Sequence, residues 1–141
     1  MIRVSRKSAK IAALIENCTG RELPAHYLGY FECFNRGLFY EAHDVLEELW
    51  LPVRHDADGK FYQGLIQLAG AFVHLQKNRL RPAAALFEKA RINLQRYPSV
   101  HHALDVSKTL DLAELWLTRL HSSGFSENPL ETQPPPRLNV C

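Results

Sequence analysis

FYEAHDVLEELW, Phe39 to Trp50, places its apolar residues at helical spacing and its charges beside them. At about 100° per residue, Glu41, Asp44 and Glu48 gather on one side of a helix and Ala42, Leu46, Leu49 and Trp50 on the other. His43 and Glu47 fall between these faces, beside Trp50. The segment from Phe61 to Lys77 is apolar nearly all round, with Tyr62, Leu65, Ile66, Leu68, Phe72, Val73 and Leu75 pointing in every direction, as a buried central helix requires. One narrow stripe interrupts it: Gln63, Gln67, Gly70 and His74. A buried amide or imidazole without a partner costs roughly 1–3 kcal/mol, so this stripe should face other polar groups. His43 and Glu47 are the nearest candidates in the chain, and together these residues predict an internal polar site.

Outward from this pair, apolar residues recur every three or four positions and no run of alternating β-branched residues appears. The expected class is all-α, a compact multi-helix bundle of about six helices. A first helix runs from about Arg6 to Asn17, and a second opens at Pro24 and ends before Gly37. The third is Phe39 to Leu51, closed by Pro52. After the polar connection RHDADGK comes the central helix, ending near Asn78. Pro82 opens a helix with apolar positions Ala83, Leu86, Phe87, Ala90 and Leu94, which Pro98 ends. A loop around His101 and His102 leads to a final amphipathic helix through Leu112, Ala113, Trp116, Leu117 and Leu120, stopped by Gly124. This reading assigns residues 1–123 to a single helical domain and 124–141, with its PPP at 134–136, to an extended or disordered proline-rich tail.

The chain also aligns with itself. GYFECFNRGLFYEAHDVLEELW, starting at Gly29, matches GAFVHLQKNRLRPAAALFEKAR, starting at Gly70, without gaps and at an offset of 41 residues. Each stretch is a helix, a turn and a helix, which suggests a bundle built on two related helical hairpins. In this alignment His43 and Asp44 stand opposite Ala84 and Ala85. A helix at that place can be made of alanines, so packing alone does not demand His43. Asp44, on the outward face with Glu41 and Glu48, reads as a solvated charge or part of an acidic rim.

Composition sets outer bounds. In 141 residues, 46% are hydrophobic and the formal net charge is +2, with Lys and Arg spread along the chain. That balance suits a soluble domain and offers no concentrated basic patch for nucleic acid. The N-terminal apolar run is broken by Lys10 and Glu16 and is too brief for a signal peptide or a membrane span, so a cytoplasmic location is expected. Cys18, Cys33 and Cys141 are odd in number and far apart, which fits neither a disulfide framework nor a metal knuckle. Cys33, among Phe31 and Phe34, reads as a small core residue.

The run F-Y-E-A-H-D-x-L-E-x-x-W, followed by Q-G-x-I-Q-x-A and a helix turn around Asn78 and Ala83, resembles the small helical family catalogued as domain of unknown function three hundred and nine. The resemblance covers about Asn35 to Leu94. Where the family usually has glutamate after the histidine, this chain has the shorter Asp44. The resemblance implies an all-helical bundle whose signature residues are Glu41, His43, Asp44, Glu47, Trp50, Gln63 and Gln67, and it implies no established activity.

Three readings of the polar site follow from its residue types. His43, Glu47, Gln63, Gln67 and His74 can form a hydrogen-bond network that fixes helix register. His43 and Glu47, one turn apart, with His74 from the facing helix, make a two-histidine, one-carboxylate set of the kind that holds Zn²⁺ or Fe²⁺. In a dry pocket beside Trp50, Glu47 can orient His43 as a base while Gln63 and Gln67 donate to a small ligand. No nucleophile stands at a recognisable spacing, and the chain lacks a glycine-rich phosphate loop. The leading expectation is an uncharacterised protein that binds a small ligand or a metal at this site. The alternative is a non-enzymatic, tetratricopeptide-like module that binds a partner protein and in which the polar network is purely structural. Exposed edges of Trp50 or Trp116 would also suit a homodimer.

Overall fold

Left-handed residues mark where three of the helices stop. The computed structural model describes residues 23–140, in which α1 spans Ala25–Asn35, α2 Phe39–Val53, α3 Gly59–Gln76 and α4 Leu80–Leu94. They are followed by α5, Val106–Ser122, and a single turn, α6, Pro129–Thr132. At the end of α1, Gly37 has φ +75 and the Leu38 amide reaches back to the Cys33 carbonyl at 2.9 Å. At the end of α3, Asn78 has φ +56 and the Arg79 amide reaches back to His74 at 2.8 Å. Gly124 and Phe125 close α5 the same way, with Phe125 bonded to the Leu120 carbonyl at 3.0 Å. This six-to-one bond over a left-handed residue satisfies carbonyls that a helix C-terminus otherwise leaves open.

The bundle is all-α as expected, with six helices among the described residues. The expected first helix, Arg6 to Asn17, and both Cys18 and Cys141 lie outside those residues. Two boundaries differ from the sequence reading. Pro52 does not close α2, which runs on to Val53; a proline in the last turn removes one hydrogen bond without forcing the chain out of the helix. The last long helix, whose apolar pattern was read from Leu112 onward, already begins at Val106, where the Asp105 carboxylate accepts the Lys108 amide at 2.9 Å and caps it. The loop before it also contains two short antiparallel strands, β1 (Val100–His101) and β2 (Leu104–Asp105), with His101 opposite Leu104.

The core is aromatic and centred on α3. Phe72 meets Phe34 of α1, Phe39 of α2, Phe87 of α4 and Trp116 of α5, with ring centroids 4.9–5.7 Å apart. Tyr30 of α1 is fully buried and donates its hydroxyl to the Leu65 carbonyl at 2.6 Å, which satisfies the one polar atom it takes into the core. Cys33 is buried here, as read from the sequence. Trp116 is only 3% exposed, so its edge is not available for a dimer contact. α3 approaches α4 closely at Gly64, where an added Cβ would lie 2.8 Å from Leu94 Cγ.

The segment after Gly124, read from the sequence as an extended or disordered tail, follows a defined course over the bundle. Asn128 caps α6 and donates to the Leu75 carbonyl at 2.6 Å, one of the carbonyls at the end of α3. Farther on, Asn35 holds both the amide and the carbonyl of Leu138 at 2.6 Å, and Leu138 is 5% exposed. Two asparagine side chains thus tie residues 128 and 138 to helix ends. Truncating Phe72 should leave a cavity touching four helices. Phe72→Ala is expected to cost about 3–5 kcal/mol and to lower Tm by roughly 10 °C or more, measured by denaturant and thermal unfolding followed by circular dichroism.

Candidate functional site

The polar stripe of α3 ends at a cleft between α2, α3 and α4. Tyr40 and His43 of α2, Ile66, Gln67, Gly70, Val73 and His74 of α3, and Leu86 of α4 line a space of about 210 Å³, with mostly apolar walls. Gly70 makes room for it: a Cβ there would lie 3.1 Å from Leu86 Cδ1 and 4.0 Å from His43 Cδ2, so the imidazole of His43 passes over bare backbone. Tyr40 stacks beside that ring with 6.5 Å between centroids.

Of the residues singled out from the sequence, the fold brings His43, Gln67 and His74 into this cleft and leaves three outside its lining. Glu47 borders it through His43, whose Nε2 is 3.7 Å from the Glu47 carboxylate, beyond hydrogen-bond length. Gln63 points elsewhere and accepts from Lys60 Nζ at 3.2 Å on an exposed face. Trp50 packs partly against the core, and its buried Nε1 has no hydrogen-bond partner among the described residues. The polar groups are half-buried rather than enclosed, with the His43 side chain 33% exposed. The amphipathic α2 carries His43 at the bundle surface.

Electrostatics differ at the two histidines. His43 Nδ1 lies 3.2 Å from Asp44 Oδ1, so Asp44 is no solvated charge on the outer face: it backs the imidazole while Glu47 approaches the other nitrogen. Glu48 likewise meets His26 at 3.1 Å. His74 Nδ1 is buried with no hydrogen-bond partner among the described residues. Burial, then the positive charges of Arg79 and Lys77, hold its pKa below the ordinary value, so the ring is neutral at neutral pH. Gln67 is oriented by a residue the sequence reading missed. Asn93 of α4, 8% exposed, donates to Gln67 Oε1 at 2.7 Å and leaves the Gln67 amide N–H groups as donors. The signal was an asparagine on the same face as the apolar Leu86, Ala90 and Leu94.

His43 and Glu47 share α2 while His74 belongs to α3, and among the described residues these three do not form a group whose ligand atoms all lie within 4.8 Å of one another. Among the described residues, the group whose ligand atoms all lie within 4.8 Å of one another is Asp58, His101 and His102. Asp58 Oδ1 is 2.8 Å from His101 Nε2 and Asp58 Oδ2 is 2.7 Å from His102 Nε2. Burial alone would raise the Asp58 pKa, but the hydrogen bonds and charges of the two histidines together bring it below the ordinary value. The sequence reading gave these two histidines no role, since a loop contact 43 residues from its partner has no periodic signature.

Comparison with known proteins agrees with the motif. An "Uncharacterized protein" of Aquifex aeolicus (strain VF5) is 27% identical over 75 residues, 53% of this chain. The chain spans only 22% of that relative's length. No solved structure matches, and no helix among the described residues is long and apolar enough to cross a membrane. Residues 27–86, which hold most of α1, all of α2 and α3, the first half of α4 and all of the cleft lining, match the family described as Domain of unknown function (DUF309), the family that the sequence motif resembles.

Proposed function

We propose that this protein binds a small organic molecule in the cleft between α2, α3 and α4, one with a short apolar body and a hydrogen-bond acceptor such as a carbonyl or carboxylate oxygen. The observation that carries this reading is Gln67: its side-chain oxygen is occupied by Asn93, and it lines an apolar-walled cleft beside His74. The Gln67 amide N–H groups, left free to donate by the Asn93 bond, meet the acceptor oxygen, and the His74 imidazole lines the same cleft. Small-molecule sites combine apolar walls with a few oriented polar groups in this way. The size suits a small ligand, since about 210 Å³ is roughly the volume of seven waters. His43, flanked by Asp44 and Glu47, stands at the rim, where it can interact with a polar substituent.

The partner-protein alternative has less support. Among the described residues, the large exposed apolar side chains are Tyr40, Leu51, Ile92, Val100 and Leu115, divided among α2, α4, β1 and α5. Scattered apolar residues of this kind are ordinary on a protein surface.

Gly70→Ala tests the cleft without damaging the fold. The new methyl would crowd the mobile end of Leu86 and stand beneath His43, while alanine favours the helix by about 1 kcal/mol over glycine. In a screen of short-chain carboxylic acids and amides followed by NMR, a hit should shift the His74 and Gln67 side-chain signals. Gly70→Ala should keep or raise Tm yet weaken binding at least about tenfold, a loss of ~1.4 kcal/mol. Equal binding to wild type and variant would remove the cleft from consideration.

His74 also predicts a pH dependence. Its folded pKa lies below the unfolded value of 6.5, so the unfolded chain binds more protons in the interval between them. Stability should therefore fall as pH drops from 6.5 through the lowered folded pKa, and be insensitive to this group above 6.5. Denaturant melts of His74→Gln across that interval should show a shallower decline than wild type.

A further inference from the structure

We propose that Asp58, His101 and His102 form a second site, which binds a divalent transition-metal ion, Zn²⁺ or one of similar softness, with coordination positions left open to solvent. The donor set is two imidazole nitrogens and a carboxylate, a combination suited to borderline metals rather than to Mg²⁺ or Ca²⁺, which favour all-oxygen shells. The side chains are 24–33% exposed, so an ion could enter and keep water or a substrate in its remaining positions.

Three independent features of the backbone and its surroundings hold these groups together. The first is the turn between β1 and β2. His102 and Ala103 both adopt left-handed conformations, φ +47 and +62, the positions that two-residue hairpins normally give to asparagine and glycine. A histidine and an alanine retained in that geometry put His101 and His102 side by side, with ring centroids 4.3 Å apart and both Nε2 atoms on Asp58. The second is Asp58 itself. It occupies the N-cap position of α3 but makes no side-chain cap bond; its carboxylate is turned to the histidines instead.

The third is an aromatic support behind the imidazoles. Phe61 lies 4.8 Å from His101 and 5.6 Å from His102, Tyr97 lies 5.0 Å from His101, and Tyr62 is nearly parallel to His102 at 6.2 Å. Tyr97 also fixes the segment that carries Asp58, donating to the Ala57 carbonyl at 2.8 Å and accepting the Phe61 amide at 3.0 Å. Tyr27 donates to the His102 carbonyl at 3.0 Å and secures the turn from the other side. Ligands held by surroundings of this kind need little rearrangement to bind.

The experiment is titration of the full-length, metal-stripped protein with Co²⁺, read by visible absorption and calorimetry, then displacement by Zn²⁺. One equivalent should bind, with ligand-field bands of a four- or five-coordinate ion. Asp58→Asn and His102→Gln, each shown by circular dichroism to be folded, should weaken binding at least about tenfold, whereas His121→Ala, on exposed surface of α5, should not. Histidine ε1 proton signals of residues 101 and 102 should shift with Zn²⁺ while that of His43 does not. Substoichiometric uptake, or equal affinity in the Asp58 and His102 variants, would overturn the proposal and leave these residues as a clasp that joins the hairpin to α3.

Discussion

Phe72 is the point on which the bundle depends. Its ring touches aromatic side chains from four other helices, three edge-on and that of Phe39 stacked. Offset and edge-to-face pairs fix relative orientation as well as burying area, so one side chain in the middle of α3 sets how α1, α2, α4 and α5 lie around it. The polar stripe shares this helix: Gln67 and His74 bracket Phe72 in sequence and point out of the core, into the cleft between α2 and α4. Their placement is a consequence of the aromatic packing on the other faces of α3.

The turns do comparable work at the helix ends. Gly37 and Asn78 put the same left-handed residue and the same reach-back hydrogen bond after α1 and α3, and each turn sends the following helix back along its predecessor. Glycine has no Cβ to strain in this conformation, and asparagine tolerates it better than most residues. Asn78 gains further support, because its side-chain oxygen accepts from Asn128 at 3.3 Å and so joins the turn to the segment after α5.

The two polar sites differ in how they are built. In the cleft, polar groups are dispersed over an apolar surface: His43 is paired with acids on its own helix, Gln67 is oriented by Asn93, and His74 Nδ1 has no partner among the described residues. At Asp58 the polar groups are concentrated, with both carboxylate oxygens occupied by imidazoles and an aromatic layer behind them. The first arrangement suits an organic ligand with one polar end, the second a compact cation. They are carried at different places along α3, the second at its N-terminus and the first over its middle and C-terminal half.

Periodicity along the chain was enough to recognise an all-α protein, to place α2, α3 and α4 within a few residues, and to pick out His43, Gln67 and His74 as polar groups that packing does not require. The motif also pointed to the family that matches residues 27–86. These features are local: they depend on which residues share a helix face and which stop a helix. What the sequence could not supply was any relation fixed by helix crossing or by a loop's path. Gln63 lies on the same stripe as Gln67 yet points to solvent with Lys60. Asn93 completes the cleft from another helix, and His101 and His102 acquire a partner 43 residues away only because a strained two-residue turn lays them against the start of α3. Side-chain period determines the face a residue takes on its own element. The close packing of several elements determines what that face meets, and that depends on all of them at once.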